Sequence, residues 1–457
     1  MNVMRNLGVL AAVVGLSFAA AAQQQEQPPA GIAPPARMQV GPQRRQVSLR
    51  EALQLAAKQG PDVAAARAQA AIAQASVRRA WTAWQPDLVT TGTFDHTSAP
   101  SSIPAGAFGT DPVTGQPSPA ITLVAPNSRY ATIQLTQPFL TPQGLFAPGI
   151  ANANAEAAQR GADEAREQVL LNVARAYLGL RGVEGLLDAA REAEKVALQR
   201  ERDARARISA GTDVEIALLR AQTETAQARA QIAGLQGQRD ATLPLLEALV
   251  GEPVEPQPAR VEDLGPPGEE SALPWENAYS VRSAIAAASA AQRSVRLARF
   301  LWLPTVAGIA KTNYNSNAGF SGKVWTYDLI VNVSIPLYDK GTRYAQLNED
   351  QARLAQAQAQ LASSRARARS AWIGARANVM AAQAVLQQTE SQSQLATRAQ
   401  AQVDASYRAG VVTSLDVSDA DQKKFAAQSA AAQSRADLEV RKAELAAAEG
   451  RLYEVTR

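Results

Sequence analysis

The sequence predicts an α+β membrane protein in which two-faced strands feed very long helices and the whole arrangement occurs twice. Three observations predict it. The first is the alternation from Trp325 to Ile335, where Trp325, Tyr327, Leu329, Val331, Val333 and Ile335 are apolar and Thr326, Asp328, Asn332 and Ser334 stand between them. Only Ile330 breaks the pattern, so a strand here has one greasy and one wet face. The second is the stretch after Asp339-Lys340-Gly341, which opens with Leu347, Leu354 and Leu361 at seven-residue spacing. It runs for roughly 65 residues without a proline, enough for a helix about 100 Å long. The third is repetition. The order helix, strand, strand, long helix, glycine break, helix occurs twice, with a period near ~200 residues. Pro86 corresponds to Pro304, Pro138 to Pro336, and Gly211 to Gly410.

Composition narrows the class. Of 457 residues 46% are hydrophobic, but only 5% are aromatic and much of the rest is alanine, which suits helices packed closely along their lengths. The net charge of +4 is mild and interspersed, so no nucleic-acid partner is expected. There is no cysteine, which excludes disulfides, thiolate chemistry and a cysteine-borne lipid anchor. The lone His96 reads as a polar residue near a strand end. The motifs of serine hydrolases, zinc proteases, P-loops and dinucleotide-binding folds are missing, and no catalytic residue, metal or cofactor is expected.

Residues 1–22 read as a signal peptide, with Arg5 in the n-region, an apolar run from Leu7 to Ala19, and Ala20-Ala21-Ala22 before Gln23. No other stretch is long and apolar enough for a membrane helix, so membrane embedding must use strands. Residues 23–46, rich in Pro, Gln and Gly, read as a flexible leader. The first repeat spans 47–250. Ser48 and Glu51 form a capping-box pattern for a helix Leu49–Gln59, and a second helix runs from Asp62 to Trp84, before Pro86. Strands follow at about 87–97 and 129–137, the second closed by Pro138. The Pro-, Gly- and Ser-rich stretch Ser98–Asn127 between them reads as a long surface loop. Helix is expected from Ala151 to about Ser209, with Val169, Val173, Ala176, Leu180, Val183 and Leu187 stepping by four and three, then again from beyond Gly211 to about Val250. Residues 251–274 read as a connector. The second repeat, 275–457, gives a helix Trp275–Trp302, strands at about 305–315 and 325–335, the long helix to Gly410, and a last helix to about Glu454.

Two strand pairs per chain cannot close a barrel, and an open sheet edge cannot face lipid. Several copies must therefore share one barrel: a dimer supplies eight strands and a trimer twelve. Long helices lie on the side where the chain enters and leaves each hairpin, at Pro86, Pro138, Pro304 and Pro336, so the hairpin loops face the other way. Trp325 and Tyr327 then fall near the outer rim, where aromatic girdles sit.

The chain resembles the TolC-like outer membrane efflux family. The resemblance is carried by Ser48-Leu49-Arg50-Glu51-Ala52-Leu53 with Gly60-Pro61-Asp62, by Leu303-Pro304, and by Ile335-Pro336-Leu337-Tyr338-Asp339-Lys340-Gly341. It continues in Tyr407-Arg408-Ala409-Gly410-Val411-Val412-Thr413-Ser414-Leu415-Asp416-Val417-Ser418-Asp419. It implies a homotrimeric channel-tunnel in outer-membrane lipid, a twelve-stranded barrel continued by a periplasmic helical barrel. It implies export of drugs, toxic compounds or metal ions with a periplasmic adaptor and an inner-membrane pump of RND or ABC type. A type I protein secretion duct is the alternative within the family, and a periplasmic coiled-coil scaffold the alternative outside it.

The resemblance also assigns Gly211 and Gly410 to the periplasmic tip turns, and Asp416 and Asp419 to acidic rings that constrict it. Three residues apart on a helix, the two carboxylates share a face, and stacked rings of them select cations and raise one another's pKa values. The plainer role is stabilisation of a first helical turn. Departures are Val412, where the family often has a basic residue, Gln143-Gly144-Leu145-Phe146 in place of the acidic-Gly turn, and the altered acid spacing of Gly211-Thr212-Asp213-Val214-Glu215.

Overall fold

The computed structural model describes residues 44–110, 112–212, 214–257, 273–318 and 322–452. The expected signal peptide, the leader as far as 43 and the connector from 258 to 272 lie outside the described residues. The end of the leader differs from the sequence reading. Arg45–Val47 is a strand, β1, paired in parallel with β6, Val254–Pro256, in what reads as the connector. Burial explains it: Val47 and Val254 are fully buried, and the Tyr177 hydroxyl donates to the Val47 carbonyl at 3.0 Å.

The elements fall into two matching series. Helix α1 (Leu49–Gln59) is followed by α2 (Pro61–Trp81), a short 3-10 turn (Thr82–Trp84), β2 (Asp87–His96), a small hairpin β3 (Ser101–Ile103) and β4 (Ile121–Val124), β5 (Asn127–Leu140), α3 (Pro142–Ser209) and α4 (Glu215–Val250). After β6 and a 3-10 turn come α5 (Tyr279–Phe300), β7 (Thr305–Asn315), β8 (Trp325–Ser334), α6 (Thr342–Arg408) and α7 (Ser414–Ala448). The helix lengths match pairwise: α2 and α5 have 21 and 22 residues, α3 and α6 have 68 and 67, α4 and α7 have 36 and 35. Such agreement argues for a duplicated module.

Several boundaries depart from the sequence reading for local reasons. Pro138 lies inside β5 at a register irregularity, and the strand continues to Leu140, because a proline without an N–H is tolerated at a bulge. The loop Ser98–Asn127 carries the β3–β4 hairpin. Helix α3 begins at Pro142, well before Ala151; Thr141 caps it by accepting from the Gly144 N–H at 2.9 Å, and Pro142 needs no donor in the first turn. Gln143-Gly144-Leu145-Phe146 is thus helix, not turn. At Ser48 half of the capping box forms: Ser48 Oγ accepts from the Glu51 N–H at 3.2 Å, while the Glu51 carboxylate pairs with Arg45. Helix α7 stops at Ala448, and Gly450 beyond it has φ +68°.

The four long strands form one antiparallel sheet in the order β2-β5-β7-β8. Register shows its two faces. One carries Leu88 and Phe94 of β2, Ile133 and Leu135 of β5, Val306 and Ala310 of β7, and Trp325, Tyr327, Leu329, Val331 and Val333 of β8. The other is mostly polar, with Thr91, Thr93, Thr132, Gln134, Thr136, Lys311, Asn313, Thr326, Asp328 and Asn332, and also holds Val89, Tyr130, Ile309 and Ile330. Every residue of β2 and β8 is exposed, apolar ones included, with Tyr327 at 79% and Leu329 at 78%. On the apolar face Gly308 leaves room for the Phe139 ring, whose Cε2 would lie 2.6 Å from a Cβ there.

Below the sheet α3 is the central post. It packs on α2 and α5 in its first half and on α4 and α7 in its second, and α6 packs on α5 and α7. The largest fully buried side chains gather halfway along α3, where Leu170, Leu178 and Leu180 meet Leu53, Leu243, Leu246, Val254 and Leu452. By contrast α6, 67 residues long, buries only Arg343, Asp350, Ala368, Val379 and Ala382, so most of its surface has no cover. Among the described residues no helix is long and apolar enough to cross a membrane.

Candidate functional site

Both helical hairpins turn on a glycine. Gly211 between α3 and α4 has φ +72°, and Gly410 between α6 and α7 has φ +77°. The chain closes alike at each: Thr212 N–H donates to the Arg207 carbonyl at 2.9 Å, and Val411 N–H to that of Ser406 at 3.0 Å. A Cβ at either glycine would meet open space, so backbone angle alone calls for glycine.

Beyond Gly410 helix α7 carries Asp416 in its first turn and Asp419 in the next. Asp416 closes a full capping box with Thr413: its carboxylate accepts from the Thr413 N–H at 2.9 Å and from the Thr413 hydroxyl at 2.7 Å, and its own N–H donates to Thr413 Oγ1. These bonds hold the Asp416 carboxyl below its ordinary pKa, the side-chain bond most of all. Within one chain the direction is therefore opposite to the rise that ring crowding brings. Asp419 lies 2.6 Å from Lys423 Nζ on the same helix. Both acids are exposed, while Val417 between them and Ala420 just after Asp419 are buried. In the other tip Asp213 lies outside the described residues.

A second set of acids turns inward. Arg200 of α3 pairs with Asp404 of α6 and, through Nε at 3.1 Å, with Asp421 of α7. Gln400 Nε2 donates to Asp421 Oδ1 at 2.8 Å, and Arg408 also holds Asp404. Burial acts to lower the Arg200 pKa, but the Asp404 hydrogen bond and the Asp421 charge outweigh it and keep the guanidinium charged. Burial likewise acts to raise Asp404, and the Arg200 and Arg408 contacts bring it below its ordinary value. Close by, the Arg207 guanidinium lies 4.3 Å from the Tyr407 ring centroid, and Ser418 donates to Glu224 of α4. Three helices thus share one charge network, and α3, α4, α6 and α7 are tied at this end. The signal in the sequence is slight: Arg200 sits three residues after Ala197 and four before Ala204, both buried, so it falls on the packed stripe of α3.

At the other end the prolines mark where sheet becomes helix. Pro86 and Pro304 immediately precede β2 and β7, and Pro336 follows β8; Pro138 lies within β5, as described above. The turn after Pro336 is locked by Arg343, whose Nε reaches Asp339 Oδ2 at 2.8 Å and whose Nη2 donates to the Pro336 carbonyl at 2.8 Å. Its guanidinium lies 4.1 Å from the Trp302 ring, and Trp302 meets Tyr344 edge-on at 4.9 Å.

A sheet with one apolar and one polar face, feeding a row of very long helices, defines a strand-built membrane channel with a helical extension. The family comparison is specific: the sequence profile of the outer membrane efflux protein family matches residues 52–252 and 274–451, once per repeat. The chain belongs to that family, a family of outer-membrane efflux channels and not of enzymes. Solved structures share its fold. VceC of Vibrio cholerae is 20% identical with a TM-score of 0.71, covering 88% of this chain and 96% of that one. The CmeC outer membrane channel of Campylobacter jejuni is 17% identical with a TM-score of 0.72, covering 88% and 85%. The open state of the MtrE outer membrane channel of Neisseria gonorrhoeae is 18% identical with a TM-score of 0.71, covering 90% of each. No curated protein sequence matches the chain.

Proposed function

We propose that three copies of this chain close one barrel of twelve strands, four from each, and continue it as a helical duct that passes small toxic molecules or metal ions from the periplasm to the exterior. The observation that carries this reading is the pair of free edges. β2 and β8 each pair on one side only among the described residues. On the helical side, α6 exposes Ile373, Met380 and Leu395, and α4 exposes Ile216, Leu219 and Leu245. An isolated sheet with such edges cannot sit in lipid; β8 of one copy against β2 of the next removes them. The apolar face of the sheet then meets lipid and the polar face lines the lumen.

In this reading the tips of α3–α4 and α6–α7 form the periplasmic mouth. Asp416 and Asp419, exposed and repeated around the axis, constrict it. The mouth docks a periplasmic adaptor, which couples the duct to an inner-membrane pump of RND or ABC type. Cargo selection lies with the pump, and no dedicated substrate site is expected in the duct.

The chain has no cysteine, so introduced thiols report contacts without background. Thr91→Cys in β2 combined in turn with Asp328→Cys, Ile330→Cys and Asn332→Cys in β8 samples the junction on one face. Oxidation in native outer membranes is expected to give a ladder ending at trimer for at least one pair. Monomer alone for all three pairs would overturn the shared barrel.

A further inference from the structure

The polar face of the sheet carries more than generic wetness. At mid-height Lys311 of β7 faces Asp328 of β8, with Nζ 4.0 Å from Oδ2. Asn313, one step along the same face of β7, donates from Nδ2 to that same Oδ2 at 3.1 Å. The Thr132 hydroxyl of β5 in turn donates to Asn313 Oδ1 at 3.2 Å. One rung of hydrogen bonds and charge thus crosses three strands, from Thr132 to Asn313 to Asp328, with Lys311 beside it. Its neighbours on this face, Thr91, Thr93, Gln134, Thr136 and Thr326, are uncharged, so the electrostatics at this height rest on one lysine and one aspartate. The other carboxylates that the register puts on this face, Asp87 and Asp95, stand at the two ends of β2.

We propose that this rung is a charge filter in the strand-built part of the duct, separate from the helix tips, and that Lys311 sets its balance. The inference rests on the trimeric barrel described above. Threefold repetition makes the rung a ring of three lysines and three aspartates around the lumen. A ring of like charge in a narrow pore selects ions of the opposite sign. Here the two signs offset each other at mid-height, leaving the acidic ends to give a mild preference for cations. Asn313 is a positioning residue: it holds the Asp328 carboxylate toward Lys311 and keeps the pair together where solvent would otherwise part them. The arrangement suits a duct that must pass cargo of either charge while carrying a weak cation bias, because neither sign meets a deep well.

The test is the reversal potential of the purified trimer in planar bilayers under a potassium chloride gradient. It is run in the natural tip sequence and in the Asp416→Ala/Asp419→Ala background, which removes the other acidic step on the same path. Asp328→Asn leaves three lysines uncompensated and is expected to shift the potential toward the chloride value. Lys311→Ala leaves three aspartates and is expected to shift it toward the potassium value. The exchanged pair Lys311→Asp/Asp328→Lys is neutral again at that height and is expected to return close to the original value, which a merely structural role would not produce. These differences should be large near 0.1 M salt, where screening reaches about 10 Å, and collapse near 1 M, where it falls to about 3 Å. One unchanged potential across all these conducting variants would overturn the filter. Absence of any conductance from every protein, the natural sequence and the tip background included, would instead defeat the barrel on which it rests.

Discussion

Arg200 and Asp421 stand 221 positions apart in the chain and meet at 3.1 Å, Nε to Oδ2, close to the ends of their helices. Because Arg200 also takes Asp404, one side chain holds α3, α6 and α7 together. The three side chains keep only 14–18% of their exposure, so the pair is partly desolvated, and removing one partner strands the others. Arg200→Ala is expected to weaken the packing of this end by on the order of 2 kcal/mol, less than a fully buried pair because some water remains. Arg200→Lys, which keeps charge but not the two-way fork, should fall between. The measurement is uptake of a large antibiotic by cells carrying each variant, beside single-channel current. Higher uptake and longer open times in the order Arg, Lys, Ala are expected. Equal current in all three would show that the network is structural padding and does not restrain the mouth.

The two outward acids separate by role. Asp416 caps α7 through Thr413, whereas Asp419 pairs with Lys423 one turn on. Thr413→Ala removes the cap but leaves both carboxylates, and is expected to cost about 1 kcal/mol of helix stability with little change in ion selectivity. Asp419→Asn leaves the cap and removes a ring, and is expected to raise conductance and lower cation preference. If Thr413→Ala matches the double variant Asp416→Ala/Asp419→Ala in current, the acids act through the helix terminus and not as a constriction.

Acid should loosen the same region, and the sign follows from the directions of the shifts. Asp404 and Asp416 both titrate below the ordinary carboxylate range in the folded chain. A carboxylate depressed on folding contributes stability that is complete above its unfolded pKa and is lost as pH falls through the folded value. With an unfolded value of about 3.9, current through the purified trimer should stay flat from neutral pH down to about pH 5 and rise below about pH 4. Asp404→Asn should flatten that rise while also raising the baseline. A rise centred near pH 6 would point to a different group and reject these two.

The strand from Trp325 was legible because alternation is a local signal, and β8 stands where the pattern puts it; β7 at Thr305–Asn315 was marked by the proline before it and the loop after it. The breaks at Gly211 and Gly410 were legible because a left-handed turn leaves few residue choices. β1 and β6 were not, because three residues apiece carry no periodicity and their pairing depends on a buried site on α3 supplied from far along the chain. The Thr413–Asp416 box was readable only as a variant with aspartate where glutamate is usual, and it competed with a more conspicuous reading of the same carboxylate. The meeting of Arg200, Asp404 and Asp421 was hidden for a different reason. Each is one charged residue among many on helices rich in Arg, Glu and Asp, and only packing in three dimensions selects the three that meet.

The turn from β8 into α6 makes the last prediction, since it must hold a strand end against the longest uncovered helix. Asp339-Lys340-Gly341 places two consecutive residues at positive φ, +60° for Lys340 and +81° for Gly341, a conformation lysine adopts only when neighbours impose it. What imposes it is Arg343, which bonds Asp339 on one side and the Pro336 carbonyl on the other, and stacks on Trp302 from the matching proline turn of β7. The contact thus joins both ends of the β7–β8 hairpin where it meets the helices. Arg343→Lys keeps the charge but cannot make the fork or the flat stack, and Trp302→Leu keeps bulk but removes the ring face. Each is expected to lower the temperature at which the trimer loses its heat-modified migration on a gel, and together to lower it little further, since they break one contact. Lys340→Gly relieves the strained angle and is expected to raise that temperature slightly. Full additivity of the first two would mean that Arg343 and Trp302 stabilise the turn independently, and that no single clamp joins the hairpin to the helices.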